Sequence, residues 1–127
     1  MVMKIILDTN FLIYCAKEKL DYVEKLGNMI NENYELIVPL QVIGELERLK
    51  EKAKKGKDKE ACNLALQILE KNKVKKVNPV GKSVDDAIVN LSKENKKNIV
   101  CTLDREMRFK LPRVILISRG KKLMLTR

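Results

Sequence analysis

Residues 3–10 read Met-Lys-Ile-Ile-Leu-Asp-Thr-Asn, a short and mostly apolar run that is closed by an aspartate and two further polar residues. Such a run predicts a β-strand that is covered on both faces, as the strands of a parallel sheet are. Asp8 directly follows this predicted strand. We therefore expect an α/β domain whose first strand presents a carboxylate at its carboxyl end.

Similar apolar runs recur along the chain and alternate with stretches of helical spacing. The runs are residues 36–38, 74–77, 99–102 and 114–117. This alternation predicts a three-layer α/β/α sandwich with a central, mainly parallel sheet, formed by a single domain over residues 1–127. Residues 123–125 are a candidate edge strand, and residues 54–58, rich in lysine and containing a glycine, are the clearest predicted loop.

The composition excludes several classes of chemistry. The chain of 127 residues contains no histidine, which rules out a Ser-His-Asp triad, a Cys-His pair and His-ligated zinc. Cys15, Cys62 and Cys101 form no C-x-x-C pair and are predicted to be buried and reduced. Because no apolar run suits a signal segment or a membrane span, we expect a cytoplasmic protein with no membrane partner.

Positive charge is in excess and unevenly distributed. The formal net charge is +10, and residues 105–127 hold eight basic side chains against Glu106 alone. Residues 48–59 hold seven basic side chains against two acidic ones. Such an excess attracts polyanions, which makes nucleic acid a candidate partner. A merely solvated surface explains the charge equally well.

Aspartates follow three of the predicted strands. Asp8 comes directly after the first strand, Asp85 and Asp86 open the helix after the third, and Asp104 stands two residues beyond the fourth. The carboxyl ends of parallel strands meet at one edge of a sheet, where such sheets bind ligands. Four of the six aspartates are therefore expected at the same edge.

Each of these aspartates also has a structural explanation. Aspartate is a preferred N-cap, because its side-chain oxygens accept hydrogen bonds from the free N–H groups of a helix's first turn. Asp8 and Asp104 suit that role, and residues 83–86 resemble a capping box with Asp86 as the third helical residue. Asp85 is not needed for the box, so it is the better candidate for chemistry.

Glu45 favours the functional explanation. It lies on the apolar face of a predicted helix, beside Leu46 and three residues from Val42. A carboxylate on such a face is costly unless a positive group pairs with it. Either it lies at the margin of the face and reaches solvent or a lysine, or it points into the crevice with the aspartates.

Converging carboxylates need a positive partner, because they repel one another and raise one another's pKa. With no histidine and no cysteine pair, an all-oxygen site suits a hard cation such as Mg²⁺ or Mn²⁺. These ions lower the pKa of bound water and stabilise charge on phosphate oxygens. The acidic residues therefore indicate metal-assisted phosphodiester hydrolysis.

Four segments together resemble the PIN-domain (PilT N-terminus) ribonucleases, which include the VapC toxins and the archaeal and eukaryotic PIN endonucleases of ribosomal RNA maturation. The segments, in the family's order, are residues 5–12, 38–45, 85–88 and 99–106. Each is weak by itself, but their combination at compatible spacing is specific and spans nearly the whole chain. The resemblance implies a PIN-like fold and an Mg²⁺- or Mn²⁺-dependent endoribonuclease that uses metal-activated water.

The resemblance also implies roles for individual residues. The implied catalytic residues, which would also hold the metal, are Asp8, Glu45, Asp85 and Asp104. Asp86 is implied as a further ligand or a helix cap. Thr9, Asn10 and Thr102 match polar positions that orient the acids. The basic residues predicted to hold the RNA backbone are Lys54, Lys55, Lys57, Arg105, Arg108 and Arg119.

Several biological roles stay open at this level. The pair Asp85-Asp86, the sequence Asp104-Arg105-Glu106 and the basic C-terminal stretch resemble the ribosomal RNA-processing branch more than a bacterial toxin. The partner could accordingly be a ribosome-assembly protein or an antitoxin, and the family resemblance also implies a homodimer. The alternative to an enzyme is a non-catalytic RNA-binding or scaffolding PIN domain, although binding a polyanion gives no reason to face it with four carboxylates.

A phosphotransfer domain of the receiver or haloacid-dehalogenase type also places acids at strand ends with Mg²⁺. The chain offers no second acid close to Asp8 and no lysine at the position expected after a late strand. This assignment is therefore the weakest of those considered.

Overall fold

A computed structural model describes residues 2–53 and 56–126 and contains one sheet of six strands within them. The strands are β1 (Met3–Leu7), β2 (Tyr34–Pro39), β3 (Lys75–Val77), β4 (Ile99–Cys101), β5 (Arg113–Ser118) and β6 (Lys122–Thr126). Their order across the sheet is β3-β2-β1-β4-β5-β6, with the first five strands parallel and β6 antiparallel to β5. The predicted α/β/α sandwich with its mainly parallel sheet is confirmed, and so is the edge strand.

Five α-helices and one 3₁₀ turn connect the strands in the described part of the chain. The helices are α1 (Thr9–Lys17), α2 (Tyr22–Met29), α3 (Leu40–Lys52), α4 (Gly56–Lys71) and α5 (Val84–Ser92), and the 3₁₀ turn is Met107–Lys110. Within residues 2–53 and 56–126, no helix is long and apolar enough to cross a membrane.

The predicted loop at residues 54–58 is wrong in extent, because α4 already begins at Gly56. Asp58 lies in the first turn of α4, where its charge meets the positive end of the helix dipole. Its carboxylate also lies 2.8 Å from Nζ of Lys17 on α1. These two interactions favour a helix where the composition alone indicated a loop. Residues 54 and 55 lie outside the described part of the chain.

β1 is one of the two central strands of the sheet and is deeply buried. Ile5, Ile6 and Leu7 are fully inaccessible to solvent, as expected for a strand that is covered on both faces. Phe11 of α1 meets Tyr22 of α2 edge to face, with ring centroids 5.7 Å apart. The three cysteines are buried and free, which confirms their prediction as small apolar residues.

The side chain of Asn98 connects α5 to β1 by hydrogen bonds, and this connection gives our first prediction. Its buried side chain accepts a hydrogen bond from the backbone N–H of Lys4 at 2.8 Å. It also donates to the carbonyl oxygens of Leu91 and Ser92 at the end of α5, at 3.4 and 3.3 Å. Because Asn98→Ala removes these three hydrogen bonds at once, two of them buried, it should lower the free energy of unfolding by about 1–3 kcal/mol.

Urea unfolding of the two variants Asn98→Ala and Asn95→Ala measures this effect. Asn95 is the control, since its side chain accepts only a solvent-exposed hydrogen bond from the N–H of Lys97. Its loss should change stability by no more than about 0.5 kcal/mol. Equal effects of the two substitutions would contradict a clamping role for Asn98.

Candidate active site

The site lies where the strand order changes direction. β1 is flanked by β2 on one side and by β4 on the other, and Leu7 is in register with Cys101. Asp8 and Thr102 therefore leave the sheet side by side, and the N–H of Asp8 donates to the carbonyl oxygen of Cys101 at 3.0 Å. Such a switch point opens a crevice outside the carboxyl ends of the strands.

Asp8 combines the capping role with a site role. It is the N-cap of α1, and its Oδ1 accepts a hydrogen bond from the N–H of Thr9 at 2.8 Å. Its Oδ2 accepts a hydrogen bond from Oγ1 of Thr102 at 2.7 Å. Each oxygen keeps a further lone pair, so capping does not exhaust the carboxylate as a ligand.

Burial raises the pKa of the Asp8 carboxyl above its usual range. The hydrogen bonds from Thr102 and Thr9 oppose this shift, whereas the negative charges of Asp85 and Glu45 add to it. Only 5% of the residue is exposed. The structure thus holds a buried carboxylate close to two others, in the arrangement that repulsion disfavours unless a cation is present.

Glu45 and Asp85 reach Asp8 from two different helices. Glu45 is half-buried in the second turn of α3, which begins directly after β2 and buries Val42 and Leu46. Asp85 is exposed in the first turn of α5. Three of the four predicted catalytic acids are therefore near enough for their charges to interact, although they come from the start of α1, from α3 and from α5.

Asp104 is connected to this group through Thr102. The N–H of Asp104 donates to Oγ1 of Thr102 at 3.1 Å, and the same hydroxyl donates to Asp8. The carboxylate of Asp104 accepts a hydrogen bond from the N–H of Glu106 at 2.9 Å and so stabilises the turn that follows β4. Asp104 is exposed, and it is not one of the described groups whose charge shifts the pKa of Asp8.

Asp86 occupies the capping-box position. Ser83 is the N-cap of α5, and its Oγ accepts a hydrogen bond from the N–H of Asp86 at 3.1 Å. The hydrogen bond that the N-cap serine contributes to the predicted capping box is therefore present. Asp86 is exposed and adds negative charge to the first turn of α5, where the helix dipole favours it.

The donor set suits a hard cation, although it is not assembled around one. Within residues 2–53 and 56–126, no three Asp, Glu or Cys side chains converge closely enough to form a ready-made metal site. The same described residues provide no salt-bridge partner for Asp8, Glu45, Asp85 or Asp104. A buried carboxylate with two acidic neighbours and no protein cation fits Mg²⁺ or Mn²⁺, which prefer oxygen ligands.

Polar residues of α1 complete the rim. Oγ1 of Thr9 is buried and has no hydrogen-bond partner in the described structure, so it is available to the site. Asn10 is exposed and lines a cleft of about 380 Å³ together with Tyr14, Lys17 and Asp104. The cleft provides space for a ligand beside Asp104.

Sequence reasoning missed the residues that hold the loop before α5. Gln41 Nε2 donates to the carbonyl oxygen of Pro79 at 2.6 Å, and Asn90 Nδ2 donates to that of Val80 at 2.7 Å. Gly81 packs directly on the backbone of α5 at Ala87. Residues 78–82 read Asn-Pro-Val-Gly-Lys, a composition typical of a turn, but nothing local indicates that this loop packs against the helix that carries Asp85.

The predicted RNA-binding residues occupy two regions. Arg105 and Arg119 follow the carboxyl ends of β4 and β5, at the same edge of the sheet as Asp8, whereas Arg108 lies in the 3₁₀ turn of the connection that returns to the amino end of β5. Lys57 lies in the first turn of α4 and lines a cavity of about 490 Å³ with residues 16–19 at the end of α1. Lys54 and Lys55 lie outside the described residues. The RNA-binding roles remain predictions.

The protein is an α/β/α sandwich, and its predicted acidic residues lie near the switch point of a parallel sheet. Comparison with known sequences identifies its family. The model of the PIN-like domain family matches residues 5–119. The chain therefore belongs to the PIN-like domain family. This result confirms the resemblance that was drawn from four short segments.

One curated relative is similar to this chain in sequence, and two solved structures are similar to it in fold. Ribonuclease VapC4 of Methanocaldococcus jannaschii is 40% identical over 109 residues, which are 85% of this chain and 82% of the relative. The solved structure of the PIN domain endonuclease Utp24 aligns with a TM-score of 0.76 and 22% identity, over 98% of this chain and 91% of that chain. The structure of VapBC2 from Rickettsia felis bound to a promoter DNA fragment aligns with a TM-score of 0.62 and 19% identity, over 86% and 96%.

Proposed function

We propose that this protein is an endoribonuclease that depends on Mg²⁺ or Mn²⁺ and hydrolyses RNA phosphodiester bonds. The observation that carries the proposal is the buried carboxylate of Asp8, which lies near Glu45 and Asp85 and has no cationic partner in the described structure. The name of the VapC4 relative, a ribonuclease at 40% identity, supports RNA as the substrate.

Asp8, Glu45, Asp85 and Asp104 are the residues that would hold the metal. When bound, the metal supplies a water of lowered pKa and positive charge beside the reacting phosphate. Thr102 is a positioning residue, because its hydroxyl donates to Asp8 while it accepts from the N–H of Asp104. The N–H of Thr9 fixes the second oxygen of Asp8. Asp86 lies in the first turn of α5, where its negative charge meets the positive end of the helix dipole, and it is assigned an outer position.

Basic residues around the acidic group would bind the RNA backbone. Arg105 and Arg119 are exposed at the carboxyl edge of the sheet, on segments that follow β4 and β5. Their guanidinium groups suit phosphate oxygens, which they can contact with two hydrogen bonds each. Contacts of this kind position the RNA without reading its sequence, so we expect affinity to fall steeply with salt.

Removal of divalent metal tests the proposal directly. Purified protein is treated with EDTA and incubated with a 5′-labelled single-stranded RNA, with and without added Mn²⁺ or Mg²⁺. Cleavage should disappear in EDTA and return when either ion is restored. Undiminished cleavage in EDTA would contradict metal dependence, and no cleavage under any condition would favour the non-catalytic RNA-binding alternative.

The neighbouring aspartates of α5 provide a matched pair. Asp85→Asn should lower kcat/KM by about tenfold to a hundredfold, since Asp85 is the member of the pair whose charge reaches Asp8. Asp86→Asn should change it by less than about threefold, because the N–H of Asp86, not its carboxylate, bonds to Ser83. Both side chains are exposed, so both variants should fold. A larger effect of Asp86→Asn would reverse the assignment.

For the cellular role, we propose a VapC-like toxin that an antitoxin partner restrains. The VapC4 relative supports this role, whereas the likenesses to VapBC2 and Utp24, at 19% and 22% identity, concern the fold alone. Induced expression without an antitoxin should arrest growth, and Asp8→Asn should relieve the arrest. The ribosomal role, the homodimer and the cytoplasmic location remain predictions.

A further inference from the structure

Phe109 is a large aromatic residue that the fold leaves in solvent. It is 81% exposed, whereas Phe11, the other phenylalanine of the chain, is fully buried. The guanidinium carbon of Arg108 lies 5.3 Å from the centroid of the Phe109 ring. An exposed ring beside a guanidinium group presents a flat apolar surface together with positive charge, which suits a ligand that has both a π-face and an anionic backbone.

This pair sits on a turn that is fixed to the acidic site. The carboxylate of Asp104 accepts from the N–H of Glu106, and its carbonyl accepts from the N–H of Met107 at 3.2 Å. Met107 is buried and anchors the turn, and the N–H of Phe109 donates to the carbonyl of Glu106 at 3.3 Å. Phe109 follows Asp104 by five residues, within the connection that leads from the carboxyl end of β4 to β5.

The charges around the ring also favour a nucleic acid. Arg105, Arg108 and Lys110 surround Phe109 in sequence against the single acid Glu106. Basic side chains contact phosphates, while an aromatic ring stacks on a base. In double-stranded RNA the faces of the bases are already stacked and unavailable, so a ring of this kind selects an unpaired base.

We propose that Phe109 and Arg108 form a stacking platform for an unpaired RNA base next to the cleavage site. The inference rests on the proposed ribonuclease function and deepens it, because it names the residues that would contact a base beside the reacting phosphate. Phe109 is thereby a specificity-determining residue, since it contacts a base rather than the reacting phosphate.

The test compares binding of an RNA with bases and an RNA without them. The protein carries Asp8→Asn so that it does not cleave, and the probes are a fluorescein-labelled ten-nucleotide oligoadenylate and an abasic ribose-phosphate decamer of equal charge. Phe109→Ala should raise the Kd for oligoadenylate by about fivefold to a hundredfold and leave the Kd for the abasic decamer within twofold. Phe109→Leu should behave like Phe109→Ala, because leucine keeps apolar area but loses the ring.

Val80→Ala is the matched control, since Val80 is 84% exposed on another loop and should leave both values unchanged. Equal Kd values for Phe109→Ala and its parent, full affinity in Phe109→Leu, or no binding of oligoadenylate at all would each overturn the platform. The proposed enzyme is judged separately, by cleavage of RNA with Phe109 and Asp8 both intact. Cleavage by that protein, together with an unchanged Kd in Phe109→Ala, would support the ribonuclease function and contradict only the stacking platform.

Discussion

Replacing Asp8 with asparagine is expected to lower the rate of RNA cleavage by about a hundredfold to a thousandfold, which is the usual cost of losing one preorganised charged contact in an active site. Asparagine has the same shape and can still accept the hydrogen bond from the N–H of Thr9. It cannot provide a second anionic oxygen beside Glu45 and Asp85. The measurement is kcat/KM on labelled RNA with Mn²⁺.

The same substitution should make the metal-free protein more stable near neutral pH. Because burial raises the pKa of Asp8 in the folded state, the folded protein binds this proton more tightly than the unfolded chain does. The stability that Asp8 contributes is therefore complete below its unfolded pKa and is lost as the pH rises through its folded pKa. A neutral asparagine does not suffer this loss. In EDTA at pH 8, the Tm of Asp8→Asn should therefore be higher than that of the wild-type protein. Near pH 3 the difference between the two Tm values should disappear.

Asp21→Asn is the appropriate control for both measurements. Asp21 is an exposed N-cap of α2, and its side chain accepts a hydrogen bond from the N–H of Glu24 at 3.1 Å. Asparagine caps helices about as well as aspartate, so neither cleavage nor Tm should change appreciably. Full activity of Asp8→Asn would contradict the assigned role of Asp8. A lower Tm at pH 8 would contradict the electrostatic cost assigned to its burial.

Gly81→Ala is expected to impair both folding and catalysis. A Cβ at this position would lie 2.4 Å from the backbone nitrogen of Ala87 and 2.6 Å from its Cα, too close for either atom. Since these are backbone atoms of α5, the loop and the helix must separate, at a cost of about 1–3 kcal/mol. Asp85 would move with its helix, and a displacement of about 1 Å can reduce the rate by about a hundredfold.

The control for this substitution is Gly27→Ala. Gly27 lies within α2, and an added Cβ would meet only the hydroxyl of Tyr34 at an ordinary 3.7 Å. Alanine is the better helix former, so stability should rise by up to about 1 kcal/mol with unchanged cleavage. Urea unfolding and RNA cleavage measure both variants. Wild-type values for Gly81→Ala would show that the contact with Ala87 can relax without cost.

Much of this fold could be predicted from local patterns. A strand that is buried on both faces does not alternate apolar with polar residues. The apolar run at residues 3–7 therefore predicted such a strand, and β1 is that strand. The position of Asp8 directly after the run predicted a carboxylate at the carboxyl edge of the sheet, and a place for Glu45 in the same crevice was one of the two explanations of its position on an apolar helix face. The loop prediction was wrong for residues 56–58, because the interaction between Asp58 and Lys17 joins two helices that are distant in the sequence.

The details of the site depended on contacts between distant residues. Thr102 and Asp8 are 94 positions apart and meet only because β4 lies beside β1 in the sheet, an order that no apolar pattern encodes. The close packing of Gly81 on α5 and the exposure of Phe109 likewise arise from how elements are placed against one another. Residue types and spacing thus determined which side chains could take part in chemistry. The three-dimensional arrangement decided which of them are buried, which carboxylates influence one another's pKa and which side chains are held by hydrogen bonds. Burial and electrostatic interaction depend on distance in space rather than on separation along the chain.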